Sequence, residues 1–193
     1  MKATLKKLTG ISLMREVCET IMKGRYKSRV TMGEMARLEH SPLRTQTYLL
    51  KMENLNTFVS VHLVRHKHGV EHFVGSNRDD RGGGDFVADR NTPIPHDCVL
   101  NAQALINMAT KRLCYKSHTA TVAAMQRIKN AVAEVDPELE PYLVPDCVRR
   151  NGLCPETRIC HLGVDKVLSI YPEYNDLFPH KASWVVPTAI KGD

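Results

Sequence analysis

Residues 62–81 read HLVRHKHGVEHFVGSNRDDR, and the reading of this stretch decides the fold. An apolar approach leads into it: Phe58, Val59, Val61, Leu63 and Val64. It then sets His62, His66, His68 and His72 among Arg65, Lys67, Arg78 and Arg81, with Ser76 and Asn77 just before Arg78. A surface helix seldom gathers so many cationic and imidazole groups. The plain reading is a basic site for an anion, above all a phosphate, entered from a buried helix. Thr57 would cap that helix, which would run from Phe58 to about His66 with Phe58, Val61 and Arg65 on one face. Arg65 and His66 would fall at its C-terminal end, where the dipole favours cations even without a ligand. After Gly69, Val70 to Ser76 reads as a short strand or extended loop. Arg81-Gly82-Gly83-Gly84 reads as a flexible break, with no Gly-Lys-Ser/Thr to make it a phosphate loop.

Upstream, Ile11, Met14, Val17, Cys18 and Ile21 recur at helical spacing, so Ile11 to Met22 is expected to be an amphipathic helix. The basic run Lys23, Arg25, Lys27 and Arg29 is expected to be a solvated face. Thr31 with Glu34 forms a capping box that opens a short helix through Leu38. Pro42 turns the chain, Thr45 to Lys51 is β-rich, and Asn54-Leu55-Asn56 reads as a turn. Downstream, Thr92-Pro93-Ile94-Pro95 reads as a rigid connector. A helix is expected from about Val99 to Tyr115, with Asn101, Leu105, Met108 and Arg112 on one side and Gln103 with Asn107 as a polar pair. Such a helix either caps itself within the core or lines a pocket; periodicity does not choose. Ala120 to Val135 is a second helix, stopped by Pro137, and Leu139 to Leu143 is a helical turn.

The chain has 193 residues, enough for one domain with a sizeable core. A single domain over 1–193 is expected, with a Cys- and Pro-containing extension from about 145. The net charge of +6 favours anionic partners. Nucleic acid is not the expected one, because aromatic residues are only 6% and no stacking motif is present. No apolar run approaches a membrane span and no signal-peptide core is seen, so a cytoplasmic protein without membrane contact is expected. The six cysteines are then expected to be reduced. Cys147, Cys154 and Cys160 are spaced too widely for a short Cys-x-x-Cys knuckle, so buried thiols rather than a metal are expected there.

Arg65-His66-Lys67 followed by Ser76-Asn77-Arg78 is similar to the signature of the flavin-dependent thymidylate synthases, Arg-His-Arg, a short spacer, then Ser-x-Arg. Asn101-Ala102-Gln103, Asn107 and Arg112 resemble that family's second block, and His40-Ser41-Pro42 its His/Ser-Pro element. Pro137-Glu138-Leu139 and Gly152-Leu153-Cys154-Pro155-Glu156 look like its tail, so the likeness reaches over about residues 36–156. The resemblance implies an α/β fold with an antiparallel or mixed sheet flanked by helices, and a homotetramer with shared active sites. It implies reductive methylation of dUMP to dTMP with methylenetetrahydrofolate, NADPH and FAD. Arg112 would contact the uracil and favour its ionised form, as the catalytic residue. His62, Arg65, Ser76, Asn77, Arg78 and Arg112 would bind dUMP, with Arg78 on the phosphate. Ser41, Arg65, His66, Lys67, Asn101, Gln103 and Asn107 would contact FAD. Lys67 and Gln103 stand where the family has arginine, which removes two bidentate forks. Only Asp79 to Asp97 separates the two blocks, where the family carries a longer helical segment. These departures keep open a pyrimidine-nucleotide hydroxymethylase that holds flavin poorly, while the net charge of +6 and the basic 23–29 run keep open a nucleic-acid-binding protein on the same scaffold.

Overall fold

A computed structural model describes residues 1–25, 27–76, 80 and 89–177. Its centre is a four-stranded antiparallel sheet, flanked by helices, in the order β1 (Lys2–Lys7), β2 (Thr47–Asn56), β4 (Pro93–Asn101), β3 (Val70–Val74). The expected antiparallel α/β architecture is present. Alternation in the strands makes one inner face. Leu5 stands opposite Leu50, Leu50 opposite Cys98, Tyr48 opposite Leu100, Met52 opposite His96, and His72 opposite Cys98. With period two these residues all point the same way, and Tyr48, Leu50, Met52, His96 and Cys98 are fully buried.

Helix α1 (Ile11–Ile21) buries Met14. Helix α2 (Met32–Leu38) carries both bonds of the Thr31/Glu34 capping box. A 3-10 turn spans Ser41–Thr45, with Pro42 near its start. Helix α3 (Thr57–Leu63) follows β2 directly, and α4 (Ala102–Arg112) follows β4 directly. Helix α5 (Thr119–Val135) packs Met125, Ile128 and Val132 into the core. Short helices α6 (Asp146–Arg149), α7 (Val164–Leu168) and α8 (Pro172–Asp176) close the described chain, and Val148, Val167 and Tyr171 join the same core cluster. No helix among the described residues is long and apolar enough to cross a membrane.

Three local expectations are corrected. Asn54-Leu55-Asn56 is not a turn: β2 continues through it by a bulge between Met52 and Leu55, with Asn54 at φ 54°. Pro93 to Pro95 is not a connector but the start of β4, where both prolines face out and Ile94 and His96 face in. The missing N–H of Pro95 costs little there, because its carbonyl still accepts from Gly75 at 2.8 Å. Helix α4 begins at Ala102 rather than near Val99, since Val99 and Leu100 are strand residues.

Candidate active site

The site is built where α3 ends and α4 ends. Helix α3 stops at Leu63, three residues sooner than periodicity suggests. Arg65 and His66 therefore lie in the following loop, and the His66 N–H caps back onto the Leu63 carbonyl at 2.9 Å. Thr57 is not the N-cap of α3; its hydroxyl donates instead to the Thr92 carbonyl at 2.8 Å. The loop closes at Gly69, whose φ of +71° suits glycine, and a side chain there would collide with the Asn101 amide. Asn101 N donates to the Gly69 carbonyl at 3.0 Å. Thus the start of α4 is laid against the loop that carries Arg65, His66 and Lys67.

Arg112 returns from the last turn of α4 to the same loop. Its Nε donates to His66 Nε2 at 2.9 Å and its Nη2 to the His62 carbonyl at 2.7 Å. A guanidinium only donates, so His66 Nε2 must carry a lone pair and the ring is neutral. Burial, and then the Arg112 charge and His72, hold His66 down to about 4. Two of Arg112's N–H groups are thereby fixed, which leaves the rest of the fork for a ligand. Arg112 also lines an open pocket of about 400 Å³ with Lys111, Lys116, Asp146 and Glu156. That volume is in the range of small-molecule sites.

His62 turns its Nδ1 to the Thr121 hydroxyl at 2.8 Å and its ring edge to Phe58, so its side chain braces α3 on α5. Its carbonyl, not its imidazole, meets Arg112. Arg65, Lys67 and His68 are exposed on the loop, and Ser76 is exposed beyond β3. Asn77, Arg78 and Arg81 lie outside the described residues, so the expected phosphate contact of Arg78 is not placed.

Besides Arg65, His66 and Lys67 on the loop, the positions matched to flavin fall into two groups. Ser41 and His40 line a groove of about 480 Å³ with Arg29, Val30, Met35 and Pro42. Apolar Ile21, Met22, Val30 and Met35 with the cation Arg29 could hold a flat apolar ring and an anionic group. Asn101 is the N-cap of α4, its side chain accepting from Ala104 N at 2.9 Å. Gln103 donates to Glu39 at 2.6 Å and to Asn107 at 3.3 Å, and Arg149 donates through Nε to the same Glu39 at 2.8 Å. At these three positions the amides serve the fold, and the open choice between cap and pocket resolves toward the cap for Asn101.

His72, grouped by sequence with the cations of an anion site, sits instead in a cluster that the sequence reading missed. Its Nδ1 is 2.9 Å from His96 Nε2 and 3.2 Å from Cys98 Sγ, and Cys98 Sγ is 3.4 Å from His96 Nε2. The outer nitrogens are also held: His72 Nε2 donates to the His66 carbonyl at 2.8 Å and His96 Nδ1 meets Ser60 Oγ at 2.9 Å. These three side chains could hold a metal ion. They are equally complete without one, because His96 Nε2–H can donate to His72 Nδ1 while the Ser60 hydroxyl donates to His96 Nδ1. Burial, and then His72, keep His96 down to about 4, and burial raises the Cys98 thiol to about 12. The alternation Ile94, His96, Cys98, Leu100 was the signal for this cluster, masked by the two prolines.

No protein-family model matches the chain, and no curated protein does. Solved structures do share its fold. One is thymidylate synthase X from Helicobacter pylori with FAD and dUMP, at TM-score 0.60 and 15% identity over 76% of this chain and 98% of that one. A second, the flavin-dependent thymidylate synthase of the same organism complexed with FAD and dUMP, gives 0.56 and 16% over 76% and 99%. A UMP/dUMP methylase, PolB from Streptomyces cacaoi, bound with 5-Br dUMP, gives 0.55 and 12% over 73% and 94%. At these identities the likeness establishes the fold.

Proposed function

We propose that the protein binds dUMP beside Arg112 and methylates it reductively to dTMP, as a flavin-dependent thymidylate synthase with methylenetetrahydrofolate, NADPH and FAD. One observation carries the reading: the guanidinium of Arg112 is delivered by α4 onto His66 and the His62 carbonyl, in a fold shared with structures that hold FAD and dUMP. Neutral His66 accepts from Nε and so aims the guanidinium without competing for its charge. The remaining N–H groups donate to the pyrimidine edge and stabilise the ionised ring, which activates its carbon toward the one-carbon unit. Arg78 and Ser76 hold the phosphate, and Arg65 and Lys67 add to the field that draws the nucleotide in. FAD, when bound, carries reducing equivalents from NADPH to the transferred carbon. Ser41, His40 and Arg29 are the residues of this chain suited to its dinucleotide portion. Active sites shared within a homotetramer complete the proposal; the exposed sheet face at Phe73 offers a surface for that assembly.

A second reading is favoured by the Gln103–Glu39–Arg149 tie, which commits a flavin-matching position to the fold. In it the enzyme leaves the one-carbon unit on dUMP as a hydroxymethyl group, with no need of a tightly held flavin. Product mass after incubation with dUMP, methylenetetrahydrofolate, FAD and NADPH separates the two. The first predicts a yellow protein and a methyl product that requires FAD; the second predicts a hydroxymethyl product formed without it. A protein that neither binds dUMP nor quenches FAD fluorescence refutes both.

A further inference from the structure

Four of the six cysteines meet behind the pocket that Arg112 borders, and three of them, Cys114, Cys147 and Cys154, also line that pocket. Cys114 follows α4 two residues after Arg112, Cys147 lies in α6, and Cys154 and Cys160 lie on the irregular chain after it. All four line one small cavity of about 20 Å³, whose floor includes Val164 and Val167. A space of that size suits a single water or ion. None of the four is in a disulfide.

What holds this segment is otherwise thin. Residues 150–163 contain no helix or strand, and they turn at Asn151, Gly152 and Gly163, all at positive φ. Leu153 is 73% exposed and Ile159 62%, so these side chains add little to the core. Lys116 ties the segment to the end of α4 through Glu156 at 3.3 Å and the Arg158 carbonyl at 3.0 Å. Surface contacts of this kind contribute about 0–1 kcal/mol. Short irregular segments with so little core are commonly fixed by a metal or a covalent cross-link.

We propose that Cys114, Cys147, Cys154 and Cys160 bind one zinc ion as a structural tetrathiolate that staples the 147–160 segment to the end of α4. Each thiol releases its proton to solvent on binding, so a dication replaces four protons. The product carries two negative charges, and Lys116 on the cavity wall is the adjacent cation. The ligand atoms already within 4.8 Å of one another among the described residues are those of His72, His96 and Cys98, so the four thiols must turn inward to reach the ion. The imidazole cluster has its polar atoms paired without an ion; the thiol cavity offers its sulfurs no counter-charge but Lys116. Because Cys114 is two residues beyond Arg112, the ion would anchor the helix end that presents the guanidinium. The site itself does not depend on the nucleotide reading.

The test is metal loading of the full chain under reducing conditions. The protein as purified is expected to hold one zinc per chain. Cobalt in its place is expected to give a strong sulfur-to-metal charge-transfer band and the visible bands of a tetrahedral site. Cys154→Ser is expected to remove roughly a quarter of that band, one thiolate of four, and Cys98→Ala none of it. Cys160→Ser gives the same reading should the first variant misfold. Absence of a stoichiometric ion from the wild-type chain overturns the proposal. So does a band that survives Cys154→Ser and disappears with Cys98→Ala, which would put the ion on the imidazole cluster.

Discussion

The two ends of α4 carry similar-looking polar residues and use them in opposite ways. At the N-terminal end Asn101 caps the helix and touches Gly69, while Gln103 is drawn to Glu39 and Asn107. Amide groups there are spent on holding the helix, the loop and α2 together. At the C-terminal end Arg112 uses two N–H groups to fix the direction of its guanidinium, and the residue also borders a pocket. Identical spacing on one helix face therefore does not imply a shared role. The end that a fold must cap is built from acceptors, and the end that the dipole makes negative is where a cation can be held ready.

Arg112→Ala tests the contrast most severely. It is expected to lower turnover of dUMP by about 10²–10³-fold while leaving the urea midpoint near that of the parent, and Arg112→Lys is expected to recover only part of the loss. Unchanged dUMP affinity in Arg112→Ala would end the distinction between the two ends. Gly69→Ala strikes the loop that both ends share. Positive φ and the encounter with Asn101 are expected to cost about 1–3 kcal/mol, read in equilibrium denaturation, and to weaken dUMP binding with it.

Acid should act next. His66 and His96 are both held near 4 in the folded chain against 6.5 when unfolded. Between those values the unfolded chain binds more protons, so stability should fall as pH drops from 6.5 toward 4 and level off below. Denaturant midpoints across that range read it, and His66→Gln should remove part of the slope. A flat profile would contradict neutral, buried imidazoles. The smallest effect belongs to Gln103→Ala: a loss of about 1 kcal/mol in stability with dUMP turnover nearly unchanged. A large turnover defect there would return Gln103 to the site.

Much of the architecture could be read from residue order. Period-3.6 patterns gave α1, α4 and α5, Thr31 and Glu34 gave the capping box, and the β-rich Thr45 to Lys51 gave the heart of β2. Asn54 and the Pro93/Pro95 pair misled because turn-forming residues can be absorbed by a bulge or by the end of a strand. The resemblance singled out both His66 and Arg112, whose side chains hydrogen-bond in the fold. It gave no warning that His72 would turn inward or that Glu39 and Arg149 would tie up Gln103, since those partners come from distant parts of the chain.

By itself the sequence determined the periodicities, the caps, the basic character and the residue types from which an anion site could be made. These are local quantities, set by side-chain chemistry and short-range backbone sterics. Tertiary structure decided which imidazoles are neutral, which amides remain for a ligand and which thiols share a cavity. Those depend on desolvation and on hydrogen bonds between residues far apart in the chain, 110 positions for Glu39 and Arg149, and burial and pairing exist only once the chain has folded.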